Sequence, residues 1–266
     1  MRQLVGPTED ADFDNPEGEL VFAYLDEAVY ESVFDFGCGC GRIARQLIQQ
    51  VPRPRRYVGV DLHAGMIQWS SRNLAPAASG FEFHHHDVYN AAFNPDRSKP
   101  GMLPFPVADR SFSLVVAWSV FTHLTQRQAE HYLSEVRRIL APGGVFLSTW
   151  FLFDKRHFPM LKAGSDALYV NDLDPSAAVL FDRDWLRARA RAARLVIYSV
   201  TPPEIRGYQW LLLMAPKGGA RAEAPFPPDA APIGDVKLST MPRNPSAIGL
   251  ERTRRWRRRI REKLRR

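Results

Sequence analysis

From Ser32 onward the chain alternates short apolar runs with amphipathic stretches, and this alternation is what most restricts its fold. "SVFDF", "RYVGVD", "FEFHHHD", "SFSLVVAW" and "VFLSTWFLF" read as strands, while "RIARQLIQQV", "GMIQWSSRNL" and "TQRQAEHYLSEVRRIL" read as helices between them. Thr125 and Gln128 are spaced as a capping box that opens the last of these helices, and "APGG" stops it. Strands joined by helices of this length predict an α/β fold: a doubly wound, Rossmann-like, mostly parallel sheet whose ligands meet the carboxyl ends of the strands. "DRDWLRARARAA" then predicts a helix, and "RLVIYSV" with "YQWLLLMAP" a C-terminal antiparallel hairpin that closes the sheet.

The remaining stretches set the expected domain plan. Residues 1–30 form an N-terminal segment in which Asn15 can cap, and Pro16 open, a helix over "EGELVFAYLDEAVY". The principal domain spans 31–216 and is interrupted at 154–181, where periodicity is lost, as a lid or acceptor-binding insertion would lose it. Residues 217–250 are rich in Pro, Ala and Gly and read as a linker. Residues 251–266 form a basic tail.

The formal net charge of +7 is a property of that tail. "ERTRRWRRRIREKLRR" holds ten basic and two acidic residues, whereas the other 250 residues hold 26 basic and 27 acidic ones. An argument from basicity to a partner is therefore an argument about the tail alone. Trp256, Ile260 and Leu264 recur every four residues, so a helix there would lay a narrow apolar stripe on a basic surface. That pattern suits an anionic membrane surface, where charge recruits and the aromatic inserts, better than nucleic acid, though an arginine-rich segment that folds on RNA is the rival. No signal-peptide layout or membrane-length apolar run is present, and Cys38 and Cys40 lie too close together for a structural staple. The expectation is a cytoplasmic protein, peripheral at most to the inner face of a membrane.

The turn after the first strand, "VFDFGCGCGR", admits three ligands. A dinucleotide motif counted from Gly37 and Gly39 requires glycine at 42, where the chain has Arg42; counted from Gly39 and Gly41 it requires glycine at 44, where it has Ala44, a residue sometimes accepted there. Zinc on Cys38 and Cys40 lacks further ligands. The third reading fits best. An acidic residue followed by glycines at alternate positions, here Asp35, Gly37, Gly39 and Gly41, resembles the first motif of the class I S-adenosylmethionine-dependent methyltransferases. Glycines let the backbone approach a methionyl moiety, and a carboxylate at the strand end can pair with its ammonium group.

The resemblance covers about residues 31–153, and 182–215 more loosely, and it implies further roles. Asp61, at the end of the second strand, stands where the family holds the ribose hydroxyls; Asp87 stands where its carboxylate takes the adenine amine, with Val88 donating from its backbone. "LPFPVADRSFSLVV" and "LSEVRRILAPGGVF" also look like family segments, although Ser113 occupies a position that is usually aspartate. The implied cofactor is S-adenosylmethionine, with S-adenosylhomocysteine as product. His84, His85 and His86 read as a strand end, since only His84 and His86 would share a face.

Methyl transfer is an in-line displacement at an activated carbon, so the protein has mainly to align the nucleophile and remove its proton. His123, in "AWSVFTHLTQRQ" at the carboxyl end of the fourth strand, is the candidate general base for a hydroxyl acceptor. Trp118, Ser119 and Trp150 are candidates for the acceptor wall. The Asn/Asp-Pro-Pro-aromatic signature of base-amine methyltransferases is absent after this strand, which favours oxygen on a saccharide, glycolipid or small metabolite. The alternatives are an RNA methyltransferase guided by the tail, and a methyltransferase-like protein that binds the cofactor without turnover.

Overall fold

The computed structural model describes residue 9 and residues 12–162, 164–171, 174–203 and 208–227; the expected linker from 228 onward and the basic tail lie outside the described residues. Five strands, β1 (Ser32–Phe36), β2 (Arg56–Asp61), β3 (Phe81–His85), β4 (Phe112–Ala117) and β5 (Leu140–Phe153), run parallel in the order β3-β2-β1-β4-β5. The order reverses between β1 and β4, which opens a crevice at the carboxyl ends of those two strands. Asp35 is level with Gly59 on β2 and with Val116 on β4, so the acidic end of β1 stands at that edge.

Helices cover both faces, which is why β1 and β4 are nearly continuous apolar runs. α1 (Arg42–Gln49) and α2 (Ala64–Asn73) bury Ile43, Leu47 and Ile67 against one face. α3 (Gln126–Ile139) and α4 (Arg183–Ala192) bury Tyr132, Leu133, Val136 and Leu186 against the other. The capping box forms: Thr125 Oγ1 accepts from Gln128 N–H while Gln128 Oε1 accepts from Thr125 N–H. The expected hairpin forms as β8 (Leu195–Thr201) and β9 (Trp210–Pro216), with β9 antiparallel to β5. No helix among the described residues is long and apolar enough to cross a membrane.

Three expectations are corrected. Residues 17–30 are helical only in a 3-10 turn at Glu27–Tyr30. Gly18 adopts φ +68°, and the backbone ahead of that turn is claimed by the end of α1 and the residue after it: Gln50 Oε1 accepts from Val21 N–H and Gln49 Oε1 from Asn15 N–H. Asn15 caps no helix; its amide donates to Glu19 O and Gln46 O. The insertion contains two short strands, β6 (Ala167–Tyr169) and β7 (Val179–Asp182). β7 joins β5 at Phe151–Phe153, just past the point where β9 leaves it at Trp150, so a single long strand carries both additions. Finally, residues 217–227 are no linker. Glu223 pairs with Arg191 at 2.8 Å, and Phe226 packs against Trp210.

Ser113, the departure from the family pattern, faces away from the crevice. Its hydroxyl accepts from Ser32 N–H at 2.9 Å and donates to Val29 O at 2.9 Å, which ties the N-terminal segment to β4.

Candidate active site

A cavity of about 750 Å3 opens along the carboxyl edge of β1, β2, β3 and β4. Asp35, Gly37, Gly39, Asp61, Val88 and His123 all line it; Gly41 and Asp87 do not.

The turn after β1 is a left-handed path that side chains would block. Gly37, Gly39 and Gly41 have φ of +78°, +55° and +77°. A Cβ on Gly37 would lie 2.4 Å from Val120 Cγ2, and one on Gly41 2.3 Å from Leu74 Cδ1. Gly41 then caps α1, so its role is to turn the chain into the helix rather than to face the cavity. Asp35 is buried, accepts a hydrogen bond from the Tyr57 hydroxyl and is pushed up to about 7 by burial, against the opposing pull of that bond and of Arg42. Asp61 accepts from Gly39 N–H at 2.9 Å through Oδ2 and from His63 N–H at 2.8 Å through Oδ1, and burial raises its pKa as well. Asp35, buried, and Asp61, half-buried, each with a carboxyl raised by desolvation, suit a cationic and hydroxylated ligand, because a cation would favour the ionised forms.

At the end of β3 the histidines part. His84 contacts Glu82, His85 contacts Leu62 O, and His86, just past the strand, turns inward to lie 2.8 Å from the Tyr132 hydroxyl, where burial lowers it to about 4. Asp87 binds Lys99 at 2.5 Å and Asn94 at 3.0 Å, which holds its carboxyl below the usual range. Val88 N–H donates to His86 O at 2.8 Å. Asp87 and Val88 thus each hold a partner within the chain, and of the two only Val88 lines the cavity.

The far wall comes from the segment after β4. Trp118 stacks on Phe22, and Ser119 sits at φ +58°, unusual for a residue with a side chain. Ser119 N–H donates to Thr149 Oγ1 at 2.7 Å, and its hydroxyl meets the Gln209 side-chain amide at 2.8–3.0 Å. Trp150 is core, fully buried with Nε1 donating to Ser148 Oγ. His123 ends a 3-10 turn, and its Nδ1 is 3.0 Å from Ser176 O. A carbonyl can only accept, so Nδ1 carries the proton of the neutral ring and Nε2 is its basic nitrogen.

Residues 33–144 match the sequence profile of a methyltransferase domain family. That stretch of the chain is a methyltransferase domain by sequence. A fatty-acid O-methyltransferase of Mycolicibacterium smegmatis is 35% identical over 119 residues, 44% of this chain and 36% of that protein. The chain's match thus spans about a third of the curated relative's length. Human N-acetylserotonin methyltransferase, solved in complex with S-adenosylmethionine, shares the fold at TM-score 0.50 and 15% identity, covering 73% of this chain and 49% of that one. A methyltransferase structure from Methanosarcina mazei has TM-score 0.49 and 18% identity, covering 75% and 99%. The methyltransferase domain's glycine turn, buried Asp35 and half-buried Asp61 fit S-adenosylmethionine.

Sequence reasoning missed Tyr57, His86, Asp174, Ser176 and Gln209, all but Tyr57 of which line the cavity. Tyr57 had a signal of a kind: in a strand it is two residues from Gly59, on the same face, where a Cβ would approach its hydroxyl to 2.9 Å. The others are brought in by long-range packing and leave no local pattern.

Proposed function

We propose that this methyltransferase domain methylates an oxygen of a small acceptor, a hydroxyl on a saccharide, glycolipid or other metabolite with an apolar portion. When bound, S-adenosylmethionine supplies a methyl carbon activated by a sulfonium. The chain's residues do the rest. Asp35 receives the ammonium group, Asp61 the ribose hydroxyls, and the glycine turn admits the methionyl backbone. Trp118 and Ser119 form one wall of the acceptor space. His123 takes the acceptor's proton on Nε2 and releases it to water from its exposed position.

The observation that carries this reading is that His123, with Nδ1 committed to Ser176 O, lines the same cavity as Asp35 and Gly37. A second reading, methylation of a fatty-acid carboxyl, is favoured by the Mycolicibacterium smegmatis relative. A carboxylate is already ionised at neutral pH and needs no base. The two readings separate at His123→Ala, which removes turnover on a hydroxyl and spares it on a carboxylate.

In the same reading the domain works in the cytoplasm, and residues 251–266 bring it to an anionic membrane where lipid-linked acceptors reside. The test is to incubate the purified chain with methyl-labelled cofactor and a host extract and to follow the label. Label in lipid or saccharide fractions supports the proposal. Nuclease-sensitive label would replace it with an RNA acceptor, and no label despite cofactor binding would replace it with a binding protein. Liposome flotation unchanged by deleting 251–266 would reject the membrane role.

A further inference from the structure

The insertion between β5 and α4 has no periodicity in sequence, yet its Asp174, Ser176 and Ala177 reach the cavity. The segment is built as a closed turn. Asp174 Oδ1 accepts from Ser176 Oγ–H at 2.6 Å and from Ser176 N–H at 3.1 Å, and Ala177 N–H donates to Asp174 O at 3.0 Å. Val170 N–H donates to Ala178 O at 3.0 Å, anchoring the turn to the β6–β7 pair. On one side Asn90, in the loop after β3, donates to Ser176 Oγ at 3.4 Å. On the other, Ser176 O receives Nδ1–H of His123 at 3.0 Å. The turn thus spans the cavity from the β3 loop to the candidate base.

An exposed imidazole with no partner exchanges its single proton between two nitrogens, and only one of the resulting forms presents a basic nitrogen where an acceptor can use it. A backbone carbonyl aimed at Nδ1 removes that freedom. The carbonyl's aim depends on the turn, and the turn depends on the two bonds that Asp174 accepts. We propose that Asp174 is a positioning residue for His123: it shapes the turn that holds the Ser176 carbonyl against Nδ1 and thereby keeps Nε2 unprotonated and ready to take the acceptor's proton. When Nε2 takes that proton the ring becomes cationic, and the same Nδ1–H···O bond becomes charge-assisted. The proton leaves to solvent from Nε2, returning the same neutral form. The inference rests on the reading of His123 as the base.

The test uses the full chain with nitrogen-15 in its histidine rings, the His123 signals being assigned by their loss in His123→Ala. The wild-type neutral ring is expected with a pyrrole-type Nδ1 and a pyridine-type Nε2. Asp174→Ala is expected to give a mixture of both forms, whereas Asp174→Asn, which retains the acceptor oxygen without the charge, keeps the wild-type pattern. In the transfer assay Asp174→Ala should lower kcat about tenfold with KM for the cofactor unchanged, and Asp174→Asn should stay within about twofold of wild type. An Asp174→Ala protein that keeps the wild-type ring signals, or an Asp174→Asn protein that behaves as Asp174→Ala, overturns the positioning role. Failure of the underlying reading looks different: His123→Ala would keep its turnover while the ring signals still responded to Asp174.

Discussion

The Tyr57 hydroxyl donates a 2.7 Å hydrogen bond to Oδ2 of Asp35, two residues before the glycine turn. The pair lies in the sheet interior beneath the cavity. Burial raises Asp35 to about 7 and pushes the Tyr57 phenol up as well, while their shared bond favours the carboxylate. Asp35 is thus an acid whose charge depends on what occupies the cavity above it.

The first consequence concerns cofactor affinity. An ammonium group selects ionised Asp35, so affinity for S-adenosylmethionine falls roughly tenfold per unit below about pH 7, and it falls again above about pH 8, where an α-amino group loses its proton. Tyr57→Phe removes a bond that lowers this pKa, so its break moves to higher pH. Fluorescence titrations of both proteins from about pH 5.5 to about pH 9 check this. A flat profile in wild type would sink it.

Stability should run the opposite way. The folded pKa of Asp35, about 7, exceeds the ordinary 3.8, so its contribution is fully present below the unfolded value and is lost as pH rises to about 7. Above that its ionisation opposes folding, by up to about 4 kcal/mol. Asp35→Asn should therefore raise Tm at pH ~8, leave it nearly unchanged at pH ~4, and abolish cofactor binding. Thermal melts at the two pH values decide, and a lower Tm at the alkaline value would refute the account.

At Gly37 a side chain meets two obstacles, φ of +78° and Val120 Cγ2 only 2.4 Å from where its Cβ would lie. Gly37→Ala should cost about 1–3 kcal/mol and eliminate cofactor binding. Adding Val120→Ala relieves the clash but not the backbone strain, so chemical denaturation should show partial recovery of stability. Full recovery would mean that the left-handed path is not required.

Thr149→Val probes the acceptor wall. Ser119 N–H donates to Thr149 Oγ1 at 2.7 Å, and valine leaves it unpaired in a part-buried site at a cost of about 1–3 kcal/mol. KM for the acceptor should rise more than KM for the cofactor. Equal changes in both would remove Ser119 from the acceptor side.

The parallel sheet was legible because each strand and helix carries its own period, and the glycine turn because its backbone path excludes side chains. What escaped the sequence was decided by partners far away in the chain. Residues 17–30 have a helical pattern, yet Gln49 at the end of α1 and Gln50 just after it accept from the backbone N–H groups of Asn15 and Val21. β6 and β7 are three and four residues long, too short for periodicity, and exist because β5 runs beyond β9. Asp61 and Asp87 both stand at strand ends, but their partners, Gly39 N–H for the one and Lys99 for the other, lie 22 and 12 residues away and leave no local pattern.

The central claim is that the cavity formed by the glycine turn, Asp35 and Asp61 is a cofactor site. Isothermal titration of the purified full chain with S-adenosylmethionine tests it most directly. One-to-one binding is expected, competed by S-adenosylhomocysteine and lost in Asp35→Asn. No heat of binding by a folded wild-type chain, or equal binding by Asp35→Asn, would contradict it.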